Sequence, residues 1–325
     1  MSEFLLEAKN IAKFFGYGFL GRTKFPAVDN VSLTMEDFPK ILTIAGESGC
    51  GKTTLARVLL GFIKPDRGIV LYKGRNVHKL KRKEKKFFRK EVQAIFQDPY
   101  ETFNPLRRVD AYLFGTAKYM FGANSKEAST RVEEVLEFVG LSIKEVMGKK
   151  PKEFSGGQLQ RISIARALLA EPRLIIADEP VSMIDVSLRM NILNMFKDLR
   201  ERGVSFIYIT HDLATAYYIS DEIAIMYRGM IVEVGPASEV LLNQYHPYTK
   251  ALVRSLPEPG KKDEWLKEKV NPPGIEIKEF LVPGCKYADI CPNSSDKCRK
   301  ERPPLFKVGN VKVACWIYQG QFQRP

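Results

Sequence analysis

The residues Gly46-Glu47-Ser48-Gly49-Cys50-Gly51-Lys52-Thr53 fit the pattern GxxxxGK[ST]. Glycines at these places let a backbone turn its N–H groups inward as an anion nest. A helix starting at the end of such a loop adds its positive N-terminal end. Lys52 is placed to reach the β- and γ-phosphates of a nucleotide, and the Thr53 hydroxyl to hold Mg²⁺. Thr54 follows directly and is assigned to the same site. The loop lies between an apolar run, Ile41 to Ala45, and a helical stretch from Thr53 to about Leu60. This strand–loop–helix setting is the one in which the pattern works.

A second apolar run, Leu174 to Ala177, delivers Asp178 and Glu179 to its C-terminal end. Asp178 can contact Mg²⁺ directly or through water, and Glu179 can polarise an attacking water. Gln97 closes a strand-like run at Ile95-Phe96, and His211 closes the run Ile207 to Thr210. At those places the amide can touch metal and water, and the imidazole can meet a γ-phosphate. Taken singly, a glutamine or histidine at a strand end is usually structural. Phe154-Ser155-Gly156-Gly157-Gln158 stands just before a helix that starts near Leu159. Ser155 and the glycine N–H groups offer a second anion site, which makes sense if the phosphate belongs to another chain. The plainer reading is an N-cap with a flexible glycine pair.

The elements that must position these groups alternate. Strands at 41–45, 174–177 and 205–209 and intervening helices imply a mainly parallel sheet, with ligands at the C-terminal strand ends. Residues 125 to 140 read as a capped helix closed by Gly140, and 159 to 169 as a helix with one apolar stripe. Leu80 to Val92 reads as a basic helix with apolar Leu80, Phe87 and Phe88, a solvated helix with one buried stripe.

The order of the motifs resembles that of ABC transporter nucleotide-binding subunits. Phosphate loop (Gly46 to Thr53), Q-loop (Gln97), signature (Phe154 to Gln158), Walker B (Leu174 to Glu179), D-loop (Ser182 to Asp185) and switch histidine (His211) follow one another as in that family. Phe154 opens the signature where leucine is usual. The resemblance implies an α/β fold: a RecA-like core, an antiparallel β-subdomain and a helical subdomain at about 98–155, within an ATPase domain of residues 1–245. It implies ATP and Mg²⁺ as ligands, Mg²⁺ being held by Thr53, Gln97 and Asp178. Glu179, Gln97 and His211 then act on the γ-phosphate, and Ser155, Gly156, Gly157, Gln158 and Asp185 act across a dimer. Phe15, beside Phe14 and Tyr17, matches the aromatic that stacks on adenine.

Finer features are similar to the oligopeptide, dipeptide and nickel importer branch. They are Phe96-Gln97-Asp98-Pro99 with Phe103-Asn104-Pro105, His246 to Leu252, and a tail from Gly284-Cys285 to Cys315-Trp316. The branch implies peptide import, with oligosaccharides or nickel as alternative cargo. It implies a second ATPase subunit, a paralogue or a second copy of this chain. It further implies two transmembrane permease subunits, an extracytoplasmic solute-binding protein, and a peripheral place on the cytoplasmic face of the membrane.

Composition sets the rivals. The chain has 325 residues, 45% hydrophobic, with 51 Lys and Arg against 38 acids, a net charge of +13. That balance suits nucleic acid, anionic lipid or phosphate ligands, or simply a solvated basic surface. A soluble ABC ATPase working on ribosomes or DNA fits the charge. One cassette, and no long coiled coil between Thr53 and Ser155, count against it, so no nucleic-acid partner is expected. No apolar run approaches the roughly 18 residues of a membrane span.

Residues 246–325 form an extension punctuated by Pro257, Pro259, Pro272, Pro273 and Pro283, too poor in apolar residues for its own core. Its cysteines, Cys285, Cys291, Cys298 and Cys315, are separated by five, six and sixteen residues. Four thiolates can hold Zn²⁺ or an iron–sulfur cluster, or stay free. Structural zinc prefers two to four intervening residues, and Pro292 follows Cys291 as prolines often follow cluster ligands. The branch resemblance implies [4Fe-4S], a reading that a redox enzyme would share without explaining the phosphate motifs. For Cys50 the expectation is a favoured, reactive thiolate, since Lys52 and loop N–H groups surround it, with a small residue that merely fits the loop preferred over a regulatory role.

Overall fold

A computed structural model describes residues 4–17, 23–122, 124–255 and 277–320. In chain order, the first elements are β1 (Phe4–Tyr17), β2 (Thr23–Glu36), β3 (Ile41–Ala45), α1 (Lys52–Leu59), β4 (Arg67–Tyr72), β5 (Arg75–Asn76), α2 (Arg82–Glu91) and β6 (Val92–Ile95). Next come α3 (Pro99–Thr102), α4 (Asp110–Phe121), α5 (Ser125–Phe138), α6 (Ile143–Val146), α7 (Gly156–Leu168), β7 (Leu174–Asp178), α8 (Val186–Glu201) and β8 (Ser205–Thr210). The chain continues as α9 (Leu213–Ile219), β9 (Glu222–Tyr227), β10 (Met230–Pro236), α10 (Ala237–Asn243) and α11 (Pro247–Arg254). It closes with α12 (Ile277–Phe280), α13 (Asp296–Lys300), β11 (Phe306–Val308) and β12 (Val311–Val313). Contacts divide it into two compact units. One comprises Met1–Leu6, Met35–Ile41 and Leu71–Ile209, and the other Glu7–Thr34, Leu42–Val70 and Thr210–Pro325.

In the first unit β6, β7 and β8 run parallel, with Ile95 opposite Ala177 and Asp178 opposite Ile209. Every residue of β7 is buried, as expected of a central strand covered on both faces. The expected helical stretch is present as α3 to α6. Its longest member, α5, starts at Ser125, where the sequence reading places it, and ends at Phe138. Asn124 is the N-cap and accepts from the backbone N–H groups of Lys126 and Glu127, while Glu127 returns a bond to the cap. In α2, Phe88 is buried edge-on against Tyr72 at 5.3 Å, but Phe87 is 52% exposed, so the apolar stripe is one residue narrower than expected.

The second unit contains the order β11-β12-β10-β9-β3. β3 and β9 are parallel, with Leu42 opposite Glu222. β9 and β10 are antiparallel, with Tyr227 opposite Met230 across Arg228 and Gly229. Both linking residues have positive φ, 41° and 84°, the backbone of a type I′ hairpin.

Pro257, Pro259, Pro272 and Pro273 lie outside the described residues, but residues 277–320 of the extension are not a separate appendage. β12 pairs with β10, Val313 opposite Glu233, and β11 folds back on β12, Val308 opposite Val311. Val308, Val311, Val313 and Tyr287 share one buried cluster with Ala45, Ile225, Val240 and Tyr248. Composition hid this, because the two strands are three residues each and their lysines alternate outward. The boundary expected at residue 245 accordingly falls inside the second compact unit. Val313 is fully buried, so Val313→Ala should cost on the order of 2 kcal/mol. Urea unfolding should show this as a lower midpoint with an unchanged slope.

Candidate functional site

The phosphate loop is built by the second unit. β3 is buried along its whole length and ends at Gly46, and α1 begins at Lys52. A Cβ on Gly46 would lie 2.2 Å from the Met226 carbonyl oxygen, and one on Gly51 2.1 Å from that of Ala27. Only glycine lets the loop lie this close to β9 and β2. Further bonds pin it: Gly229 N–H donates to the Cys50 carbonyl (2.8 Å) and Glu47 N–H to the Tyr248 hydroxyl (3.1 Å). Lys52 is buried, and its Nζ donates to the Gly46 and Glu47 carbonyls at 2.7 and 2.9 Å. Ser48, Gly49 and Thr53 are exposed, and Thr54 is half-buried.

The expectation for Cys50 is overturned. Its side chain is fully buried, and burial pushes the thiol up, outweighing the lowering effect of Lys52. It is a small apolar filler under the loop and stays protonated at neutral pH. Phe15 sits near the end of β1, 37% exposed, with its ring 6.3 Å from that of Phe25. The neighbouring Phe14 ring lies 5.8 Å from the Arg67 guanidinium carbon. His211 is exposed just past β8, where the Asp212 side chain caps α9 by accepting from Ala214 N–H at 2.9 Å.

The first unit brings Gln97, Asp178 and Glu179 together. Asp178 ends β7 and is buried. Glu179 then leaves the strand with φ 46°, a left-handed backbone that costs a non-glycine residue about 1 kcal/mol or more. Its N–H donates to the Ile209 carbonyl at 2.9 Å, and its carbonyl accepts from the Ser182 hydroxyl at 2.9 Å, so the turn is held from both sides. Gln97 Nε2 donates to Glu179 Oε2 at 3.1 Å. Gln160, buried in α7, steadies the same loop by donating to the Phe96 carbonyl at 3.2 Å. Asp185 is exposed at the start of α8.

Ser155 is the N-cap of α7. Its hydroxyl accepts from Gln158 N–H at 3.2 Å, and the Gln158 side chain accepts from Ser155 N–H at 3.0 Å. The capping reading is therefore realised. The glycine pair is another matter. A Cβ on Gly156 would meet nothing nearer than 3.5 Å, and one on Gly157 nothing nearer than 3.7 Å. Unlike Gly46 and Gly51, these two are not demanded by the chain's own packing.

The sequence model of the family described as ABC transporter matches residues 28–182, and that described as Oligopeptide/dipeptide transporter, C-terminal region matches 232–298. A putative oligopeptide transport ATP-binding protein, YkfD of Bacillus subtilis (strain 168), is 38% identical over 320 residues, 97% of this chain and 96% of that one. The oligopeptide transport ATP-binding protein OppF of the same organism is 41% identical over 284 residues, 86% and 92% of the two chains. The chain belongs to the ABC transporter ATP-binding family, in its oligopeptide/dipeptide branch. Among solved structures, the dimeric post-hydrolysis state of the ATP-binding cassette MJ0796 bound to ADP and Pi has a TM-score of 0.64 at 27% identity. It covers 71% of this chain and 98% of that one. A nucleotide-free ABC cassette also scores 0.64, at 25% identity, covering 78% and 100%.

For this family member the extension carries two further features. Cys285, Cys291, Cys298 and Cys315 all line one small cavity, with His246 and Trp316. All four are free thiols. Burial pushes the Cys285 thiol up to about 11, and burial together with the neighbouring thiols raises Cys291 and Cys315. Among the described residues no three His, Cys, Asp or Glu side chains stand close enough to hold one metal ion, which removes the geometry a single Zn²⁺ needs. The second feature is Tyr248, which sequence reasoning missed as a site residue. It packs on Tyr227 and Tyr287, with ring centroids at 4.4 and 5.6 Å, and its hydroxyl holds the phosphate loop. No local motif announces it, since its role depends on α11 returning under the loop. Tyr248→Phe should leave Glu47 N–H without its partner and weaken ATP binding roughly fivefold, about 1 kcal/mol. Calorimetric titration with a non-hydrolysable ATP analogue measures this, and an unchanged affinity would free Tyr248 of any role at the site.

Proposed function

We infer that this chain is the ATP-hydrolysing subunit of an ABC importer for oligopeptides or dipeptides. The observation that carries the reading is near full-length similarity to oligopeptide transport ATP-binding proteins, at 38% and 41% identity. Beside it stands a phosphate loop whose two critical glycines the packing requires. No helix among the described residues is long and apolar enough to cross a membrane. Two permease subunits would supply the membrane path, with this chain on their cytoplasmic side and a solute-binding protein outside. The exposed surface around Tyr100 and Leu106 is the candidate seat for a permease helix.

In this reading Phe15 stacks on the adenine, and the N–H groups of residues 46–53 and Lys52 Nζ cradle the phosphates. The Thr53 hydroxyl, Asp178 carboxylate and Gln97 amide oxygen are hard donors, the set Mg²⁺ prefers. Held by these donors, Mg²⁺ would neutralise charge on the phosphates. Glu179 orients and polarises the attacking water, Gln97 holds that carboxylate, and His211 meets the γ-phosphate. Water adds to the γ-phosphorus, the bond to the β-phosphate oxygen breaks, and ADP and phosphate leave. Ser155, the glycine pair and Gln158 serve the nucleotide of a second ATPase subunit, with Asp185 at the same junction. A Cβ at Gly156 or Gly157 would make only ordinary contacts at 3.5 and 3.7 Å, so the fold does not itself require glycine there, and a phosphate from outside would account for the pair.

Glu179→Gln should keep ATP binding and lower hydrolysis about a hundredfold or more, since it removes the general base and leaves the cradle. Retention of most turnover in the assembled transporter would reject the assignment. Mixing chains carrying Lys52→Ala with chains carrying Gly157→Asp leaves one intact composite site per dimer. Activity in the mixture above that of either variant alone is the expected result, and none would argue against sharing of the site between chains.

The four-cysteine cavity is read as the seat of a [4Fe-4S] cluster. Its donor set, four thiols around one space and no carboxylate, suits that group, and a cluster spreads its ligands further than a single ion does. The cluster would cross-link the segment ahead of α13 (Cys285, Cys291) and α13 itself (Cys298) to Cys315, just beyond β12.

A further inference from the structure

Phe15 lies near the end of β1 and is partly exposed. A loose ring at a strand end would lose rotamer freedom whenever a base stacked on it, and that loss weakens binding. Phe15 is not left loose. Phe25, half-buried in β2, packs against it with ring centroids 6.3 Å apart, within the range of an aromatic pair. Behind Phe25 stands Phe280, edge-on at 5.6 Å and buried. Phe280 belongs to α12, in the C-terminal extension. That short helix is itself held. Glu279 pairs with Arg228 at 2.6 Å, and the Arg228 guanidinium carbon lies 5.6 Å from the Phe280 ring centroid. The Lys286 ammonium donates to the Phe280 carbonyl at 2.7 Å and also to the Val282 carbonyl.

The extension grips β2 a second time, four residues on. Lys286 faces the Asp29 carboxylate at 3.4 Å, and Arg302 meets the same carboxylate at 2.8 Å while donating to the Asp29 carbonyl, also at 2.8 Å. Between the two grips lies Ala27, whose carbonyl abuts Gly51 of the phosphate loop. We propose that the C-terminal extension builds the rear of the adenine site. Phe280, through Phe25, positions Phe15 for stacking, and Lys286 and Arg302 hold β2 in place behind it. Phe280 is a positioning residue that acts through Phe25. The inference rests on the assignment of Phe15 to adenine. It is distinct from the part played by Tyr248, which bears on the phosphates through Glu47. The two supports therefore separate by ligand. Loss of the aromatic relay weakens only ligands that carry a base, whereas loss of the Tyr248 hydroxyl weakens every ligand of the phosphate loop.

The test compares two ligands on the full chain by calorimetric titration with Mg²⁺ present: a non-hydrolysable ATP analogue and inorganic tripolyphosphate, which has no base. Phe15→Ala should weaken the analogue about tenfold and leave tripolyphosphate unchanged. Without that selective loss the adenine assignment falls, and this inference with it. Phe280→Leu keeps an apolar side chain but removes the ring edge. It should weaken the analogue roughly threefold and again spare tripolyphosphate. Tyr248→Phe, the control, should weaken both ligands alike. If Phe15→Ala tells the two ligands apart and Phe280→Leu does not, the positioning role is overturned while the adenine assignment stands. Equal weakening of both ligands in Phe280→Leu overturns it too, since that marks a general loss of structure. Should Phe280→Leu fail to fold, Phe25→Leu decides at a half-buried position. The relay runs through that ring, so the absence of a selective loss there overturns the proposal.

Discussion

Everything at the nucleotide end depends on the backbone of one loop lying against two carbonyl oxygens. The loop must aim N–H groups at an anion, so its internal bonding is sparse, Cys50 N–H donating to the Glu47 carbonyl at 3.3 Å. It is held instead by contact. Gly46 presses on Met226 and Gly51 on Ala27, at distances that exclude any side chain. Gly229 and Tyr248 add one hydrogen bond each. The hairpin carrying Arg228 and Gly229 is therefore part of the phosphate site, although it contributes no side chain to it.

The acids of β7 are positioned by a different device. Asp178 is delivered by a straight buried strand, but Glu179 is turned by a left-handed backbone at the strand end. The strain is tolerated because Glu179 N–H donates to the Ile209 carbonyl and its own carbonyl accepts from the Ser182 hydroxyl, over-determining the turn. Adjacent residues thus project differently, as the separate roles proposed for them require. Gln97 touches Glu179 in the same unit, so the pair forms part of a preorganised arrangement.

The extension has a physical link to the catalytic end within the second unit. Tyr287, among the cysteines, packs on Tyr227 and Tyr248, and Tyr248 reaches Glu47 in the phosphate loop. Arg228 adds an ion pair of 2.6 Å to Glu279 in α12, beneath the hairpin that supports the loop. Losing the order of the tail would remove packing from Tyr248, so the tail and the phosphate loop share a structural support. A fold that adds β12 to β10 needs less stapling than the composition suggested.

The sequence by itself determined the phosphate loop, the strand that ends in Asp178-Glu179, and the order of motifs, because each is a local pattern whose chemistry follows from neighbouring residues. Apolar runs also located β3, β7 and β8 nearly to the residue, since buried strands admit little else. It could not weigh Cys50, where a cation two residues away argues for a thiolate and only the packing above it makes burial win. Nor could it find β11 and β12, whose three-residue strands carry too little periodicity to read. Tertiary structure alone decided that Gly46 and Gly51 are sterically required while Gly156 and Gly157 are not. It alone placed Tyr248 under the loop and His246 among the sulfurs. Those facts depend on segments far apart in the chain meeting, and such meetings are set by the packing of the whole core.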